Sequence, residues 1–121
     1  EPDGYLPYVN GAPLPGTPSH EVLIHNTIGA YQVTPLGAHI IARGVDARNV
    51  APVNRPLFGI PEATPPFTGS GIMEFSFGLP ESPLTNTPPQ GPDSDDPHDK
   101  VRVLQAAMDQ ANEEIQALLD S

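Results

Sequence analysis

The chain has 121 residues, with 17 Pro, 11 Gly, no Cys and no Trp, and its 15 acidic and 5 basic side chains give a formal net charge of −10. Without cysteine there is no disulfide framework, thiolate metal site or cysteine nucleophile, and five dispersed bases argue against a nucleic-acid or anionic-membrane surface. No apolar run approaches the ~18 residues of a membrane span.

Proline and glycine make up close to a quarter of the chain, about twice the usual share, so large parts of it lie outside regular structure and one small domain is the most it can build. The charge is unevenly placed. Residues 93–121 hold eight acids and two bases, whereas residues 4–92 hold five acids and three bases. A nearly neutral body suits packing into an assembly. The first residue, Glu1, follows no basic or apolar leader, and the N-terminus is read as processed, disordered or trimmed.

Residues 1–19 carry Pro2, Pro7, Pro13, Pro15 and Pro18, too closely spaced for a helix or a central strand. They read as an extended arm. Tyr5, Leu6, Tyr8, Val9 and Leu14 distinguish it from a solvated linker, so it lies on a surface, either its own body or a neighbour. From Glu21 the segments EVLIH, GAYQV and AHIIARGV are apolar, β-branched and bounded by Gly, Pro and Asn, which predicts antiparallel strands near 21–26, 28–34 and 38–43. The clearest strand is GIMEFSF, where Met73, Phe75 and Phe77 alternate with Ile72, Glu74 and Ser76.

Between them, residues 44–71 contain five prolines together with Leu57, Phe58, Ile60 and Phe67. An ordered extended loop laid over a sheet or a partner is expected there. Residues 79–96 are proline-rich, nearly free of large apolar side chains and acid-ended, which describes a semi-rigid spacer.

The C-terminal segment carries the sharpest signal. Asp96-Pro97-His98-Asp99 places an N-cap acid, a proline at the first helical position and an acid in the first turn. The predicted helix runs to about Leu119. Its apolar residues Val101, Leu104, Met108, Ala111, Ile115 and Leu118 step by three and four, an a/d seam across three heptads. A helix behind a proline-rich tether is expected to pack on another chain, itself or a larger partner, rather than on its own core. Ala111 at a d position weakens that seam.

Several chemical motifs fall short. His20-Glu21…His25 has the wrong spacing for a zinc-protease motif, and His39 facing His25 across a sheet would give two imidazoles without a carboxylate. A hydrogen-bonded structural histidine is the simpler reading of each, and His98 reads as solvated. Ser19 and Ser70 lack a nucleophile-elbow context. Thr68-Gly69-Ser70-Gly71 has no following Lys and reads as a turn. Asp93, Asp95, Asp96 and Asp99 lack the Gly and Glu of an EF-hand loop. Arg43, Arg48 and Arg55 are the only bases of the body; salt bridges to a neighbour or to the spacer are expected of them, with an anion patch as the alternative.

The expectation is therefore a mainly β protein: a small antiparallel sheet or sandwich- or barrel-like body with long Pro-rich extended segments and one C-terminal α-helix. Its parts are an arm (1–19), a β body (20–80, including the loop 44–71), a Pro-rich acidic spacer (81–96) and an amphipathic heptad helix (97–121). No catalytic, cofactor or metal site is expected. The predicted role is non-enzymatic assembly, locking neighbouring subunits through the helix and through Tyr5 and Tyr8 of the arm, by architectural analogy with virion decoration or capsid-associated proteins. The alternatives are an accessory subunit of an enzyme complex and a free-standing ligand-binding β domain.

Overall fold

Residues 4–85 and 96–121 are described in a computed structural model. In chain order the elements are α1 (Leu6–Val9), β1 (Leu23–Thr27), α2 (Pro35–Gly44), β2 (Arg48–Val50), β3 (Glu62–Ala63), β4 (Gly71–Phe75) and α3 (Pro97–Leu119). The strands form one four-stranded sheet in the order β1-β4-β2-β3. Every pairing is parallel: Leu23 to Thr27 stand opposite Gly71 to Phe75, Arg48 and Asn49 opposite Gly71 and Ile72, and Asn49 and Val50 opposite Glu62 and Ala63.

The expected mainly β, antiparallel body is thus overturned. The protein is α/β with an all-parallel sheet. Strand periodicity carries no information about direction, and the crossover that parallel neighbours need was hidden in a β-branched segment. Residues 38–43, expected as a strand, lie inside α2. Thr34 and Pro35 open that helix, and Ala38, Ile41, Ala42 and Val45 recur at helical spacing and turn towards the sheet. Residues 28–34, the other expected strand, form a turn and irregular chain.

The long segment 44–71 is also more regular than expected, since it supplies β2 and β3. Its prolines occupy the crossovers between parallel strands, where no ladder N–H is needed. The strands are joined through Arg48 N–H to Ser70 O (2.9 Å), Asn49 N–H to Pro61 O (2.8 Å) and Ala51 N–H to Ala63 O (2.9 Å).

One cluster forms the core: Leu6, Ala38, Ala42, Val45, Ala47, Leu57, Ile60 and Ile72, with Val9, Ile24 and Ile41 against it. The arm packs on its own body. Its middle is a helical turn that buries Leu6, Asn10 Nδ2 donates to Val45 O (3.0 Å), and His20 N–H donates to Val9 O (2.7 Å). Gly44 permits this closure, because a Cβ there would run into Leu6 Cδ1 and stand 3.0 Å from Leu6 Cβ.

Candidate functional site

α3 begins as expected and then departs from its body. Asp96 is a buried N-cap whose carboxylate accepts from His98 N–H (3.0 Å), satisfying one orphan donor of the first turn. The same carboxylate accepts from Tyr31 N–H (3.2 Å) and Gln32 N–H (3.0 Å), which pins the helix start to the turn after β1. Pro97 and Val101 are buried there, and Lys100 Nζ lies 5.6 Å from the Phe77 ring centre. Chain from the spacer helps: Ser82 Oγ donates to Ala30 O (2.9 Å), and Pro80 O crosses so near Gly29 that a Cβ would come within 2.8 Å. Residues 86–95 of the expected spacer lie outside the described residues.

After Gln105 nothing of the body covers the helix. Every residue from Ala106 to Ser121 is exposed. Of the six seam residues, Val101 alone is buried, at 8% exposure; Leu104, Met108, Ile115 and Leu118 are 42, 49, 55 and 75% exposed, and Ala111 is exposed with them. The projecting part, residues 106–119, is about 20 Å long at 1.5 Å per residue. Three i,i+4 bonds brace it, Gln105 to Asp109 (2.7 Å), Gln110 to Glu114 (2.9 Å) and Gln116 to Asp120 (3.0 Å), each contributing about 0.2–0.5 kcal/mol. A helix of this length standing alone in water is marginal, and this one also leaves an apolar stripe in water. Tyr5 and Tyr8 are exposed too, at the other end of the chain, on the outer side of the turn whose Leu6 is buried.

In the second polar feature His39 is hydrogen-bonded and Arg55 reaches the spacer acid Glu81, both as expected, but they meet on Glu74, to which the sequence assigns no role. Glu74, on the face of β4 that α2 covers, is the partner of four donor groups: Asn26 Nδ2 (2.6 Å), His39 Nε2 (2.7 Å), Arg55 Nη2 (3.1 Å) and Arg55 Nε (2.7 Å). An ionised carboxylate only accepts, so His39 carries a proton on Nε2. Burial pushes the Glu74 carboxyl up, but the hydrogen bonds and charges of Arg55 and His39 outweigh it and hold it below its ordinary value. Arg55 is raised in return, chiefly by Glu74 against the opposing effect of burial, and its Nη1 also reaches Glu81 (2.8 Å).

This network sits at the carboxyl end of the parallel sheet, where α/β proteins commonly bind ligands. Here its acceptors are occupied by the protein's own donors. Glu74 works as a clasp joining β1, α2, β4 and the loop after β2. Alternation along β4 was legible, and the structure assigns its faces: Ile72 and Glu74 face inward, while Met73 and Phe75 are half-buried, Phe75 edge-on to His25 at 5.5 Å. His39 lies on α2 rather than on a strand, and among the described residues no group of three or more His, Cys, Asp or Glu could hold a metal. Ser70 Oγ accepts from Val22 N–H (2.9 Å) and Ser19 Oγ donates to Asn10 Oδ1 (3.3 Å).

No described helix is long and apolar enough to cross a membrane. No family model matches the chain, and no curated protein or solved structure matches it.

Proposed function

We propose that the protein is a non-enzymatic assembly module whose α/β body presents α3 for pairing with the same helix of a second copy. The observation that carries this reading is the exposure of Leu104, Met108, Ala111, Ile115 and Leu118 on a helix whose only buried anchor points are in its first turns. Spacing of three and four places these residues on one stripe, the pattern that interlocks between helices. The charge distribution favours a like partner. Residues 103–121 carry Asp109, Glu113, Glu114 and Asp120 and no base, yet the positions flanking the stripe, Gln105, Ala107, Asn112 and Leu119, are uncharged, with Glu114 the exception. Like charges on the outer side of a helix pair repel only weakly in water.

Because Val101 is committed to the body, the free seam spans little more than two heptads, and association is weak and concentration-dependent. Sedimentation equilibrium of the full chain over a wide concentration range tests it. A monomer–dimer equilibrium, abolished by Met108→Asp with Ile115→Asp, supports the reading. A monomer at every concentration rejects self-pairing.

A further inference from the structure

The bases of this acidic chain are distributed unequally between partners. Arg55 is paired with Glu74 and Glu81, Arg102 with Asp99 at 3.6 Å, and Lys100 covers Phe77. Arg43 and Arg48 make no ion pair among the described residues. Both line one cleft of about 290 Å³ at the amino ends of β2 and β4, together with Asp46, Thr68 and Gly69. In a chain with three times as many acids as bases, two arginines without an ion pair that line one cleft call for an anion from outside.

We infer that this cleft binds a small phosphoester, its phosphate held between Arg43 and Arg48. The arrangement is built in advance. Arg43, at the end of α2, donates from Nη1 to Phe58 O (3.1 Å), and its stem crosses Gly59, where a Cβ would come within 2.9 Å of Arg43 Cδ. Gly59 also has φ of +71°, so both the turn and the close approach require glycine. The fixed guanidinium keeps most of its five N–H donors free. Arg48 opens β2, and its backbone N–H is bound to Ser70 O, so its side chain starts from a fixed point on the cleft wall. Ser70 is buried and tied to Val22, which fixes the Thr68–Gly69 turn beside it. Thr68 is exposed and lines the same cleft, so its hydroxyl adds a further donor.

Phosphate fits this donor set better than carboxylate. A single arginine fork satisfies both oxygens of a carboxylate, whereas the three terminal oxygens of a phosphate monoester engage two forks and a hydroxyl. Asp46, held at φ of +56°, is the one acid lining the cleft. It repels a second phosphate and accepts from a ligand hydroxyl, which selects a hydroxylated monophosphate. The volume lies at the small end of ligand sites.

Calorimetric titration of the full chain with glycerol 3-phosphate, inorganic phosphate and glycerate tests the assignment. Saturable binding is expected, tightest for glycerol 3-phosphate and weakest for glycerate. Arg43→Ala and Arg48→Ala each weaken it about tenfold or more, Asp46→Asn narrows the preference over inorganic phosphate, and Arg102→Ala changes nothing. Arg48→Ala removes an exposed side chain without a protein partner, so the fold survives it, as a thermal melt verifies. Absence of saturation, glycerate binding as tightly as the phosphoester, or indifference to both arginine replacements overturns the inference.

Discussion

Two isoleucines place the halves of this molecule side by side: Ile72 of β4 is fully buried, whereas Ile115 of α3 is 55% exposed. The body gathers Leu6, Val45, Leu57, Ile60 and Ile72 with three alanines into one core and closes its sheet with a saturated carboxylate, while Leu23, Leu36 and Phe58 stay exposed at separate points of the chain. α3 carries a comparable apolar series and buries only its first member, Val101. The body has a core of its own, whereas every residue of the helix beyond Gln105 is exposed. Substitutions on the two sides should therefore separate folding from association.

The largest loss of stability is expected at the clasp. Glu74→Ala strands Asn26, His39 and Arg55 together, and truncating one side of a buried ion pair costs about 3–5 kcal/mol; urea melts measure it. The pH response sharpens this point. The Glu74 carboxyl is held below its ordinary value in the folded protein, so the unfolded chain takes up the proton first as pH falls. Its stabilisation is complete above the unfolded value of about 4.3 and is lost as pH drops through the lower folded one. Glu74→Gln should flatten that part of the stability–pH profile.

Next is Gly44→Ala, which drives a methyl into Leu6 and should cost about 1–3 kcal/mol, the usual penalty of overpacking. Asp96→Ala removes the cap of α3 and its hold on Tyr31 and Gln32. A cost of about 1–2 kcal/mol is expected, with faster amide exchange confined to the helix start and the turn at 30–32. The smallest effect on folding, within about 0.5 kcal/mol, belongs to Met108→Asp and Ile115→Asp, because neither side chain packs on the body. Those two substitutions should nevertheless remove association.

α3 was legible to within a residue, because capping, proline at the first turn and the heptad spacing are all local. β1 and β4 were legible as strands for the same reason. Their direction was not, because it depends on which segments cross over, and α2 was concealed by Ile40 and Ile41, whose β-branches outweighed the Thr34-Pro35 start and the spacing of Ala38, Ala42 and Val45. Alternation along β4 did not say which of its faces is buried. Only the arrival of Arg55, His39 and Asn26 from three separate segments makes the burial of Glu74 tolerable, and no local pattern announces that meeting. The closeness of Arg43 and Arg48 was visible in the sequence; the cleft that both line was not.

Pairing of the exposed stripe of α3 with its copy is best tested by cross-linking, which a chain without cysteine makes clean. Ala111→Cys places a single thiol midway along the stripe, and Glu113→Cys places one outside it. Under mild oxidation a covalent dimer should form rapidly from the Ala111→Cys chain and slowly from the Glu113→Cys chain, with the difference abolished by Ile115→Asp. Equal rates at the two positions, unaffected by Ile115→Asp, would contradict it.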